Sequence, residues 1–201
     1  QGNAYDIAKS NGFTIVSNKA DFMNLKPGVG KVFAYNEWLP DGKALPYAID
    51  TREEDITIAE FTQKAIELLD NENGFFVMIE GGKIDWAAHA NDAVSMIKDT
   101  VAFDEALQAA YDFYEAHPED TLIVVSGDHE CGGLSLGFAG TKYATAFDIL
   151  GDQKISFNEF SSKVLKQYKE DNAGNAQFAD VLPLIEEYFG LKAEGAEDHP
   201  L

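Results

Sequence analysis

The chain has 201 residues, with 15 Lys+Arg against 35 Asp+Glu and a formal net charge of −20. Its 45% hydrophobic content is that of a globular domain and too apolar for a disordered chain, while no apolar run is long enough to span a membrane. The lack of a basic patch argues against a nucleic-acid partner, and a single cysteine, Cys131, excludes an internal disulfide.

The opening residues, Gln1 to Ala4, have neither the charged start nor the apolar stretch of a signal peptide. Tyr5 to Ser10 reads as the end of a short helix, Asn11-Gly12 as a turn, and Phe13 to Val16 as a short strand. Pro27 to Gly30 breaks the chain before a second β-like run, Val32 to Tyr35. Ile58, Phe61, Ala65 and Leu69 recur at helical spacing, which predicts an amphipathic helix over about Thr57 to Leu69. Phe75 to Ile79 is continuously apolar and reads as a strand buried on both faces of a parallel sheet, ending at Glu80-Gly81-Gly82. A long helical stretch follows, roughly Trp86 to Ala116, closed by His117-Pro118. Leu122 to Val125 reads as a second buried strand, ending at Ser126-Gly127-Asp128-His129. Helices between apolar strands predict an α/β fold with a mostly parallel sheet. The tail from about Thr141 reads as mostly helical, with one helix through Phe157, Phe160, Val164 and Tyr168 and another over Phe178 to Phe189. Glu194 to Leu201 reads as polar and loosely held.

Both predicted buried strands end in acidic, glycine-flanked turns, and in open α/β sheets sites lie beyond the carboxyl ends of strands. Glu80, Asp85, His89, Asp128 and His129 all fall there. Asp85 and His89 are four apart, so on a helix they share a face and can grip one ion. Asp128 and His129 are adjacent, and at a strand exit both can turn toward one ion. Carboxylate plus imidazole suits zinc, whereas Glu80 suits a harder ion such as magnesium. Either pair alone is ordinary surface chemistry; two pairs, each after an apolar strand, point to a metal site.

Other candidates read more simply. Cys131 reads as a small buried residue rather than a soft ligand. Asp148 to Glu159 imitates a calcium loop, but Leu150 stands at its third position and Gln153 where glycine is needed, so Ser156 with Glu159 reads as a helix cap. Ser126 reads as a strand-end hydroxyl and Ser95 as a packed or solvated helix residue, neither in a nucleophile turn.

The segment Glu80-Gly81-Gly82-Lys83-Ile84-Asp85-Trp86-Ala87-Ala88-His89 resembles a metal-binding segment of bacterial alkaline phosphatases. Ser126 to Leu134 resembles their second such segment, with Cys131 where threonine is usual, and the runs Lys64 to Leu69 and Phe103 to Ala106 match as well. The resemblance covers most of Tyr5 to Leu136. It implies an α/β sandwich with a mostly parallel central sheet flanked by helices, here incomplete, and one partial domain over residues 1–201. In that domain residues 1–140 form the sheet core with the metal motifs, and residues 141–201 a mostly helical extension. It further implies hydrolysis of phosphate monoesters through a phosphoserine, with two zinc ions and one magnesium. Asp85 and His89 would hold the first zinc, Asp128 and His129 the second, and Glu80 the magnesium. A periplasmic or secreted location follows from the same resemblance, which also allows a homodimer for the complete enzyme.

The family's nucleophilic serine, with its companion aspartate, phosphate-binding arginine and magnesium-binding threonine, has no match in this sequence. His199, in Asp198-His199-Pro200, does not stand in the context of the family's third ligand of the first zinc. The expectation is a stretch cut from a longer enzyme, with convergent but incomplete metal sites, weak metal binding and little activity by itself. Two alternatives remain open at this point: another metalloenzyme of the same superfamily, such as a phosphodiesterase or phosphomutase, and a non-catalytic metal-binding fragment.

Overall fold

In a computed structural model the described residues are 3–135, 137, 145 and 147–192. The expectations for Glu194 to Leu201, including His199, and for Thr141 fall outside them. The chain groups into two compact units. The first comprises residues 1–46, 51–81 and 100–127, and the second comprises residues 47–50, 82–99 and 128–201.

The first unit opens with helix α1 (Ala4–Ser10), capped by the Asn3 side chain, which accepts from the Tyr5 N–H. Strand β1 (Thr14–Val16) follows, then helix α2 (Lys19–Met23) and strand β2 (Val32–Ala34). β1 and β2 pair in parallel, Thr14 opposite Val32 and Val16 opposite Ala34, so the parallel reading of the first two runs holds. Helix α3 (Ile58–Leu69) starts at a capping box. The Thr57 hydroxyl accepts from the Glu60 N–H while the Glu60 carboxylate accepts from the Thr57 N–H, satisfying two amides that a helix start otherwise leaves unpaired. Val16, Phe22, Leu25 and Ile56 form the core of this unit, with Phe61 and Leu68 of α3 packed against it.

Two polar devices close the same core. Asn36, buried, clamps Ile56 by both backbone groups: its Nδ2 donates to the Ile56 carbonyl at 3.0 Å and its Oδ1 accepts from the Ile56 N–H at 2.8 Å. Lys64, on α3, is buried with its ammonium donating to the Met23 carbonyl at 3.1 Å and paired with Glu67 at 2.5 Å. A buried ammonium is tolerated only with such partners.

The two apolar runs depart from expectation. Among the described residues, neither 75–79 nor 122–125 is paired in a β-ladder. Exposure alternates along the first run: Phe75, Val77 and Ile79 are half-buried, and Phe75 stacks edge-on against Phe113, whereas Phe76 and Met78 are 87% and 79% exposed. In the second run Leu122 and Val124 are 86% and 77% exposed. Continuous apolar character therefore does not mean burial on two faces here. A strand exists only where a neighbour accepts its hydrogen bonds, and a run's own sequence cannot supply the neighbour.

In the second unit, helix α4 (Gly82–His89) ends before helix α5 (Ala93–Ala116), whose later residues belong to the first unit. The single helix expected over Trp86 to Ala116 is thus broken. Asn91 takes a left-handed conformation, φ 55°, which asparagine tolerates better than most residues. Asp92 then starts α5, its Oδ1 accepting from the Ser95 N–H and its Oδ2 from the Ser95 hydroxyl. Asn and Asp compete with helical backbone through such local bonds and so favour breaks and caps. Ser95 is fully buried in this cap rather than solvated.

Helix α6 (Phe147–Leu150) precedes a helical run of three parts, α7 (Phe157–Glu159), a π segment (Phe160–Leu165) and α8 (Lys166–Asp171). Ser156 caps this run by accepting from the Glu159 N–H, as the spacing predicts. Helix α9 (Phe178–Phe189) completes the unit and lays Tyr188 and Phe189 against Phe160. The helices of the tail match their expected positions.

Candidate metal centre

The acidic turn at 80–85 places its members differently. Glu80 is exposed at the end of the 75–80 segment, in the first unit. Asp85 and His89 lie on α4 in the second, one helical turn apart, so their side chains meet: His89 Nε2 is 3.4 Å from Asp85 Oδ2. The other oxygen, Asp85 Oδ1, is buried and makes no hydrogen bond among the described residues. Burying a carboxylate oxygen without a donor is costly. Such an orphaned acceptor fits a bound cation, and the donor set fits too, since imidazole nitrogen and carboxylate oxygen are zinc's ordinary ligands.

The turn at 128–133 belongs to the same unit. His129 and Asp128 face each other at 3.6 Å, both largely exposed. The His129 N–H donates to its neighbour's Oδ1, and its ring Nδ1 lies 3.0 Å from the Glu130 carbonyl. That carbonyl, then the Asp128 carboxylate, with further help from Asp85, holds the His129 pKa above the ordinary histidine value. The Gly133 N–H donates to the Glu130 carboxylate at 2.7 Å and tightens the turn.

Gly132 decides how closely this turn approaches α4. Its φ is +80°, and a Cβ placed there would sit 2.6 Å from the Ala88 carbonyl oxygen. Only glycine allows both the left-handed backbone and that approach. As a result Cys131 reaches α4: its thiol donates a weak hydrogen bond to the Asp85 carbonyl, Sγ to oxygen 3.8 Å. Burial, then the contact with Asp85, pushes the thiol pKa up. Asp85, His89 and Cys131 each present a ligand atom within 4.8 Å of the other two.

The structure therefore joins Asp85 with His89 and Asp128 with His129, as the spacings predict. It also brings Cys131 to the first pair. Cys131 is half-buried, not a buried packing residue. The available signal was its place three residues beyond Asp128, where threonine is usual in the resembling segment.

Beside the cluster, the Lys83 ammonium lies over two rings, 3.9 Å from the centre of Tyr47 and 4.2 Å from that of Trp86. Trp86 is thereby held against α4's own first turn, where cation–π attraction adds to packing. Ser126 is exposed and Ser95 is bonded to Asp92. The chain's one arginine, Arg52, is in the first unit, bidentate to Asp55 at 2.8 and 3.0 Å and stacked over Trp38. It is committed to structure rather than to a phosphate.

Comparison with known proteins gives a consistent result. The family model described as alkaline phosphatase matches residues 2–186. The chain is 33% identical over 155 residues to alkaline phosphatase 4 of Bacillus subtilis, covering 77% of this chain and 33% of that protein. It is 35% identical over 145 residues to the repressible alkaline phosphatase of Saccharomyces cerevisiae, covering 64% of this chain and 24% of that one. Among solved structures it superimposes on the cold-active alkaline phosphatase of a psychrophilic Shewanella species with a TM-score of 0.73 and 26% identity, over 98% of this chain and 45% of that chain. The chain spans about a third of the length of the first of these relatives and under half of the solved structure.

Proposed function

This chain belongs to the alkaline phosphatase family, and from that premise we propose that it carries part of the metal site of a phosphomonoesterase. The observation that carries the reading is the Asp85 carboxylate on α4, with one oxygen buried and without a hydrogen bond among the described residues and the other beside His89 one turn on. Asp85 and His89 hold one zinc ion, Asp128 and His129 a second, and Glu80 a magnesium ion. Such ions would supply Lewis-acid chemistry to a phosphoryl group.

The chain's own residues have supporting roles. The α4 backbone fixes Asp85 and His89 at one spacing, so the ligands need little reordering. The Glu130 carbonyl engages His129 Nδ1, which leaves Nε2 as the ligand nitrogen and orients the ring. With a net charge of −20, the protein surface opposes a dianionic ester, and only cations at the site reverse that field. Metal dependence goes with the family; the particular ions, the phosphate monoester substrate, the periplasmic or secreted location, a dimeric parent and the reading of residues 1–201 as one partial domain belong to this proposal. So does the absence of a nucleic-acid or membrane partner, for which the net charge of −20 is the support; among the described residues no helix is long and apolar enough to cross a membrane.

The test is calorimetric titration of zinc into the purified chain, alongside an aryl phosphate assay with zinc and magnesium added. Zinc binding is expected, and His89→Ala should abolish its strongest component. Turnover should stay far below the ordinary enzyme rate of about 10 per second, since Ser95 is bonded to Asp92, Ser126 is exposed at the end of the 122–125 run, and the one arginine is engaged. Absence of zinc binding would refute the site. Full turnover lost in His129→Ala would refute the view that the nucleophile is outside these residues.

A further inference from the structure

We propose that Cys131 is a metal ligand, and that Asp85, His89 and Cys131 form a mixed oxygen, nitrogen and sulfur site selective for thiophilic divalent ions. This deepens the proposed function and rests on its assignment of Asp85 and His89. Three observations on different residues converge. The ligand atoms of the three side chains already lie within 4.8 Å of one another. A tetrahedral ion with bonds of roughly 2.0–2.3 Å needs its ligand atoms roughly 3.3–3.8 Å apart, so the cluster has to close by about 1 Å on binding. Asp85 Oδ1 is buried with no donor among the described residues, although Oδ2 faces His89, so this one oxygen lacks the partner that a cation would supply.

The third observation concerns the backbone that delivers the sulfur. Gly132 packs its α-carbon onto the Ala88 carbonyl with no room for a side chain. The preceding residue is thereby brought over α4, where its Sγ contacts the Asp85 carbonyl. A cysteine serving only to fill space has no need of this approach to a carboxylate and an imidazole.

Carboxylate and imidazole alone accept many divalent ions. Adding a thiolate shifts preference toward zinc, cobalt and cadmium and away from magnesium and manganese. Binding replaces the S–H bond with a sulfur–metal bond and releases the proton to solvent: Cys–SH + M²⁺ gives Cys–S–M⁺ + H⁺. A third ligand from this turn also explains how α4 and the 128–133 turn could hold one ion between them within a single unit.

Cobalt(II) is the probe, because thiolate ligation produces a charge-transfer band in the near ultraviolet, while the visible ligand-field bands report on geometry whatever the donors. Cys131 is the chain's only cysteine, so the ultraviolet band has one source. The wild-type chain should show both sets of bands. Cys131→Ser and Cys131→Ala should lose the ultraviolet band and weaken cobalt binding by at least the 10–100-fold or so that loss of a supporting contact costs. In the wild type, cobalt or zinc should slow alkylation of Cys131 by iodoacetamide, and a chelator should restore it; this arm needs no variant to fold. Visible bands without the ultraviolet band, together with alkylation indifferent to metal, would overturn the ligation by Cys131 and leave Asp85 and His89 in place. No cobalt binding by a chain of native helix content would overturn both.

Discussion

Replacing Gly132 with alanine tests how the 128–133 turn is held on α4. Two costs separate cleanly, because Gly133 is also left-handed, φ +65°, but a Cβ there would meet no atom within 4 Å. Gly133→Ala therefore carries only the backbone cost, about 1–2 kcal/mol. Gly132→Ala carries the same cost plus a collision, its Cβ lying 2.6 Å from the Ala88 oxygen and 3.0 Å from the Ala88 carbon. To reach even 3.0 Å the contact must open by 3.0 − 2.6 = 0.4 Å. The carbonyl cannot swing aside without losing the bond it accepts from the Asn91 N–H at 3.0 Å. Overpacking against fixed neighbours costs a further ~1–3 kcal/mol, so the total for Gly132→Ala is about 2–5 kcal/mol. Urea denaturation followed by far-ultraviolet circular dichroism measures both variants against the wild type. Since Cys131 rides on the same turn, cobalt affinity should fall in Gly132→Ala and change little in Gly133→Ala. If the two variants match within about 0.5 kcal/mol, the turn is not held by this contact and the reasoning fails.

Two further outcomes can be checked with the same instruments. Asn36→Ala should cost about 2–4 kcal/mol, because it removes two hydrogen bonds and leaves the Ile56 N–H and carbonyl without their partner in a buried place; denaturation that moves by less than ~1 kcal/mol would show that solvent replaces the clamp. Asp99 supplies a pH dependence: burial, reinforced by Asp50 and Asp92 and opposed by the Ala48 N–H and Lys83, pushes its carboxyl from 3.8 up to about 6. Between those values the folded chain holds a proton that the unfolded chain has released, so this group's contribution to stability is present at pH 4 and is lost as the pH rises through 6. Asp99→Asn keeps an oxygen for the Ala48 N–H and should flatten that part of the profile; an unchanged slope between pH 4 and 7 in urea melts would show that Asp99 is already ionised in the fold.

Much of this protein was legible from local chemistry. The cap at Ser156 and the helices over 57–69 and 178–189 follow from short-range rules, because a cap or an amphipathic face is satisfied within a few residues of itself. The pairing of Asp85 with His89 belongs to the same class, since the helix fixes residues four apart on one face. Asp128 with His129 needed only adjacency and a turn. The family itself was written in the two long motifs.

What the tertiary structure decided was everything that depends on a distant partner. Phe75 to Ile79 and Leu122 to Val125 are apolar enough for a buried strand, yet burial and ladder pairing are properties of neighbours, and one face of each run is exposed. The break at Asn91 was invisible because helical periodicity continues across it, while the left-handed residue and the Asp92 cap compete locally with the helix. Cys131 is the clearest case. Its thiol is 46 residues from Asp85 in sequence, and only the glycine beside it, packed without a side chain onto α4, brings sulfur, carboxylate and imidazole into one cluster.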